Sequence, residues 1–154
     1  MSAIEGKLRQ LGLTLPAPHV PGFNYVLAVR TGDLIFLAGH SGRDEHDKII
    51  KGKLGATMTA DQAYPVARRA ALGALATLKH VMGDLDRVRR VVKLLCMVNS
   101  SPHFRDQSRV ADGASDLLVE LFGNQSRHAR SAAGVAGLPS GACVLVEMIV
   151  EVKD

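Results

Sequence analysis

The stretch "RSAAGVAGLPSGACVLVEMIVEV", Arg130 to Val152, sets one guanidinium at the head of a run of small and apolar residues. A guanidinium is a planar fork of donors suited to a carboxylate or a phosphate. Ala132, Ala133, Gly134 and Ala136 would leave room beside it and uncover backbone groups. In "GLPSGA", Pro139 and Gly141 stand at the second and fourth positions of a tight turn. With Leu138 and Gly141 as its outer residues, antiparallel pairing sets Ala132 opposite Glu147 and Arg130 opposite Ile149. Arg130 and Glu147 then become diagonal neighbours on one face, with Cα atoms about 7 to 8 Å apart. Two readings stay open: an ion pair between Arg130 and Glu147 with Gly and Ala kept for close packing, or a grip for an anionic ligand beside small residues.

The elements that must position these residues can be read from periodicity and punctuation. Ser2 and Glu5 have capping-box spacing ahead of Ile4, Leu8 and Leu11, so a short amphipathic helix opens the chain. Three prolines between Thr14 and Gly22 make an extended connector. The apolar runs Tyr25 to Arg30 and Leu34 to Gly39, split by Thr31, Gly32 and Asp33, predict a β-hairpin. Arg43 to Met58 is charged and glycine-bearing, a loop with a short strand near Ile49 and Ile50. Thr59 and Gln62 repeat the capping-box spacing before an alanine-rich helix that ends at Gly83; Pro65 predicts either a kink or a later start. Val88 to Ser100 reads as a central strand, and Asp106 to Phe122 as a second long helix stopped by Gly123. In the last strand, Ala142, Val144, Val146, Met148, Val150 and Val152 share a face suited to helix contact. Cys143, Leu145, Glu147, Ile149 and Glu151 share a mixed face suited to subunit association. The order β-β-α-β-α-β-β predicts an α+β sandwich with two helices on one face of a mixed sheet.

The 154 residues suffice for a single domain spanning 1–154, with 1–22 as its helix and proline-rich leader. Four Phe, two Tyr and no Trp require an aliphatic core. A formal charge of +4 would suit an acidic partner, but the cations are scattered apart from "RVRR" at Arg87 to Arg90, which does not favour nucleic acid. Cys96 and Cys143 lie in apolar runs and read as buried free thiols. Without a Cys pair or an i,i+4 His pair on a predicted helix, neither a metal nor another cofactor is expected. No apolar run approaches membrane-spanning length and no leader pattern opens the chain, so the expected setting is cytoplasmic, with no membrane partner.

"ARSAAGVAGLP", Ala129 to Pro139, resembles the signature of the YjgF-like, or reactive intermediate deaminase (Rid), family, often labelled endoribonuclease L-PSP-like. "NYVLAV", "DLIFLAGHSG", "DLDRVRRVVKLLCMVNS" and "GASDLLVELFG" follow in the family's order, and the likeness is greatest to a longer, little-characterised branch. The resemblance implies a chorismate-mutase-like fold, a homotrimeric barrel, and clefts between subunits that bind a small carboxylate metabolite. It implies that Arg130 holds the carboxylate, that Tyr25 and Gly39 line the cleft, and that a glutamate on the last strand directs water onto a 2-imino or enamine acid.

The sequence departs from that pattern at three places: Leu145 replaces the glutamate, Asp112 the second helix's asparagine, and Ala132 the cysteine after the arginine. Glu147, on the same face as Leu145, or His40, in "AGHSG", are the candidate replacement bases. Three functional expectations follow: an imine or enamine deaminase, a non-catalytic metabolite-binding trimer that kept Arg130 and lost the base, and an RNA-cleaving or translation-inhibiting protein.

Overall fold

A computed structural model describes residues 2–154. Helix α1 spans Ala3–Gln10, α2 Ala60–Met82 and α3 Gln107–Phe122. The strands are β1 (Ala28–Thr31), β2 (Leu34–Leu37), β3 (His40–Ser41), β4 (Val88–Asn99), β5 (Ala129–Val135) and β6 (Val144–Val152). The chain order is the expected β-β-α-β-α-β-β, with β3 as a short continuation of the hairpin. No helix among the described residues is long and apolar enough to cross a membrane.

The helix starts follow their local chemistry. Thr59 and Gln62 make a complete capping box on α2. At α1, Ser2 accepts from the Glu5 amide, but the Glu5 carboxylate is drawn to Lys79. The second half of that cap comes instead from Asp86, whose carboxylate accepts from Ser2 Oγ and the amides of Ala3 and Ile4. Pro65 does not delay α2, which runs through it from Ala60. Leu11, expected on the apolar face of α1, lies beyond the helix and is exposed.

The sheet order is β1-β2-β6-β4-β5, with β3 also pairing β6. Phe36 pairs Ile149 while His40 pairs Val146, so Ala38 and Gly39 carry one extra residue past β6, a bulge. All pairs are antiparallel except β4 with β5, which α3 joins as a crossover. The inward residues of β6 are buried beneath the helices, together with Ile35, Leu94, Cys96 and Val98. The opposite face carries Val29, Phe36, Leu95, Met97, Leu145, Glu147 and Ile149 and is covered by no element among the described residues; Val29 and Phe36 are 54% and 41% exposed.

The expected strand pairing at the C-terminal turn is overturned. The turn at Leu138 to Gly141 forms, with Gly141 N donating to Leu138 O at 3.1 Å, yet β5 and β6 do not pair. The turn instead helps carry the chain across the end of β4, where Asn99 N donates to Cys143 O, Asn99 Nδ2 to Ala142 O and Ser100 N to Val135 O. The strand with a continuous buried face, β6, takes the middle of the sheet; the Ala- and Gly-rich β5 takes its edge.

Candidate functional site

This topology decides which acid answers Arg130. Arg130 lies across from Leu94, which lies across from Met148, and both of these are buried under the helices. Glu147 shares its row with Leu95 and Ser131 on the open face. Arg130 and Glu147 therefore stand on opposite faces of the sheet, and the diagonal ion pair does not exist within the chain.

The partner is Asp112. Helix α3 packs over the β5 edge and brings Asp112 Oδ1 to 2.6 Å from Arg130 Nη1, with Ser115 Oγ at 3.1 Å from the same nitrogen. Nη2 donates to the Ser108 carbonyl at 3.3 Å. Three hydrogen bonds to one helix fix the guanidinium, while Nε–H and one Nη2–H have no partner among the described residues.

Ser115 also meets His128, at 2.9 Å between Oγ and Nε2, and His128 Nδ1 lies 2.9 Å from the Ser126 carbonyl. A carbonyl only accepts, so Nδ1 carries the proton and Nε2 accepts from the Ser115 hydroxyl. The Ser115 oxygen is then left to accept from Arg130. Burial first, and then the nearby Arg130 charge, keep the His128 pKa below its ordinary value despite the Ser126 bond. Ser115 and His128 were not among the candidates read from sequence. The available signal was strand period: His128 stands two residues before Arg130, as Ala132 stands two after it.

The remaining candidates are dispersed. Ala132 lies on the Arg130 face beside Cys96, whose thiol burial pushes up to about 12 against the opposing pull of Arg130. Gly134 is small for packing, since a Cβ there would stand 2.6 Å from Ser100 Oγ and 2.8 Å from Gln107 Nε2. His40 is buried under α2, with Nδ1 donating to the Ala38 carbonyl at 2.7 Å and Nε2 accepting from Thr77 Oγ1 at 2.9 Å. Its row is Val146, Cys96, then Ala132, so two core side chains separate it from the β5 edge. Burial lowers its pKa.

Tyr25, exposed, precedes β1 and lies toward the same end of the hairpin as Gly39, because Ala38 N donates to Leu27 O. Gly39 abuts Leu145: a Cβ at Gly39 would stand 2.8 Å from Leu145 Cδ2. Glu147 is half-buried on the open face. Since β1 and β5 are opposite edges, Tyr25 and Arg130 are separated across the sheet by roughly 19 Å. Two surface concavities, of 480 and 320 Å³, are lined by residues such as Met58 and Phe104 or Pro16 and His80. Neither includes a predicted site residue. One chain therefore carries two separated groups of candidate residues: Arg130, Asp112, Ser115 and His128 at the β5 edge, and Tyr25, Gly39, Leu145 and Glu147 around the hairpin and open face.

The basic cluster at the start of β4 is engaged by acids. Arg89 and Arg90 reach Glu151, and Arg87 reaches Asp154.

Comparison with known proteins gives a consistent picture. A family profile described as "YjgF/chorismate_mutase-like, putative endoribonuclease" matches residues 5–152. Protein TCP17 of Trypanosoma cruzi is 43% identical over 98% of this chain and 95% of its own length. A crystal structure of an Agrobacterium tumefaciens protein of unknown function superposes with a TM-score of 0.91 at 37% identity, covering 98% of this chain and 93% of that one. A crystal structure of a putative endoribonuclease from Shewanella oneidensis gives a TM-score of 0.92 at 30% identity, covering 97% of this chain and 99% of that one.

Proposed function

The chain belongs to the YjgF/chorismate-mutase-like (Rid) family, and from that premise we propose that it assembles as a homotrimer and binds a small carboxylate metabolite between subunits through Arg130. The observation that carries this reading is the state of Arg130. Three bonds to α3 hold its plane, and two donors remain for a ligand at an exposed sheet edge. Tyr25 and Gly39 lie too far across the sheet, and Glu147 on its opposite face, to complete that site within one chain; in this reading a second copy supplies them. The uncovered apolar face gives the copies a surface to share.

The activity that fits is hydrolysis of a 2-imino acid. Water adds to the imine carbon, the C–N bond breaks, and a protonated imine plus water gives the 2-oxo acid and ammonium. Arg130 fixes the carboxylate and so the position of the reacting carbon. Leu145 cannot activate water; Glu147, two residues on along the same face, is the acid for that task. His40 does not serve, because its ring is buried with both nitrogens engaged.

A second reading rests on Leu145 itself, whose side chain fills the space against Gly39. In it the trimer binds the metabolite and catalyses nothing. The assay is ammonia or 2-oxo acid release from 2-aminoacrylate generated in place. Acceleration by the wild type, lost in Arg130→Ala and Glu147→Gln, supports the hydrolase. No acceleration by the wild type, with activity gained in Leu145→Glu, supports the binder. Full activity in Arg130→Ala sinks the carboxylate grip.

A further inference from the structure

The cluster at the β5 edge has no net charge. Arg130 contributes one positive charge and Asp112 one negative charge 2.6 Å away, while His128 sits neutral behind Ser115. Both members of the pair are nevertheless reachable from solvent, with side chains 22% and 51% exposed. Asp112 Oδ1 accepts from Arg130, whereas Oδ2 accepts from no donor among the described residues. Orientation of the guanidinium does not require a carboxylate, because Ser115 Oγ and the Ser108 carbonyl already hold both terminal nitrogens.

A ligand bearing only a carboxylate is attracted by Arg130 and repelled by Asp112. A ligand with a cationic nitrogen next to its carboxylate meets an opposite charge at each end. We propose that Arg130 and Asp112 together select a zwitterion, a 2-amino acid or a protonated 2-imino acid, over a plain carboxylate, with Asp112 the residue that sets the preference. The inference rests on the carboxylate-grip reading and narrows its ligand class. It also bears on the chemistry: an acid beside the nitrogen favours the protonated imine, the form that water attacks more readily.

The test uses the intact protein and three probes, L-alanine, propionate and pyruvate, titrated by ligand-observed NMR. The expected result is wild-type binding of alanine about tenfold or more tighter than of propionate or pyruvate, a polar site penalising ligands that leave its groups unmatched. Asp112→Asn should reverse the order, and Arg130→Ala should lose all three probes. Propionate binding as tightly as alanine to the wild type overturns the proposal without recourse to any variant. Retention of the alanine preference in a folded Asp112→Asn protein overturns it as well. Absence of wild-type binding by every probe, or undiminished binding in Arg130→Ala, overturns the carboxylate grip itself.

Discussion

Ser115 shows how much one hydroxyl can decide. It accepts from Arg130 and donates to His128, so one oxygen links the guanidinium to the imidazole tautomer set by Ser126. Arg130 and Asp112 were legible in the sequence as singular residues in a resembling pattern, but their contact was not, because it depends on which sheet face Arg130 takes. Two titrations follow. His40 and His128 both hold pKa values below the ordinary 6.5, burial being the leading cause. In the interval below 6.5 the unfolded chain binds more protons, so their contribution is full above that pH and is lost as pH falls through the folded values. Urea unfolding at pH 7.5 and 5.5 should show lower stability in acid, with a shallower decline in His40→Gln. Cys96 and Cys143 are fully buried, with both thiols shifted upward. A thiol reagent should label them only as fast as the protein opens, and immediate native labelling would contradict that placement.

Among the elements, helices α2 and α3 approach closely at Gly113. A Cβ at Gly113 would stand 2.0 Å from the Tyr64 carbonyl oxygen, so the two helices meet backbone to backbone at this point. Gly113→Ala should destabilise by about 2 kcal/mol or more despite alanine's better helix propensity, as read by thermal or urea melts. Pro65 gives the opposite sign: it is exposed inside α2, and Pro65→Ala should restore a backbone donor and stabilise by about 1–3 kcal/mol. The helices were legible because caps, stops and apolar spacing are local. The β1–β2 hairpin was legible for the same reason, though its ladder is shorter than the apolar runs suggested. Strand pairing beyond adjacent segments was not. "LPSG" closes the same tight turn whether it joins neighbouring strands or leads the chain across a third, and only the crossover through α3 places β4 between them.

At the scale of the whole molecule, the open face is the side of the sheet that no element among the described residues covers. The mixed pattern of Leu145, Glu147, Ile149 and Glu151 already pointed there, and Val29 and Phe36 extend it. Light scattering after size exclusion should give a trimer for the wild type, and Phe36→Glu should shift it toward monomer and lose carboxylate binding with it. The place of β6 carries a separate consequence, one of timing. Until Val144–Val152 is available, the hairpin β1–β2 and the β4–β5 pair are two sheets with no strand between them, each with an unmatched edge. A growing chain therefore cannot close its core in the order in which it is made. It must wait with its helices formed and its apolar faces uncovered, and this interval is when it is most exposed to aggregation or to chaperone capture.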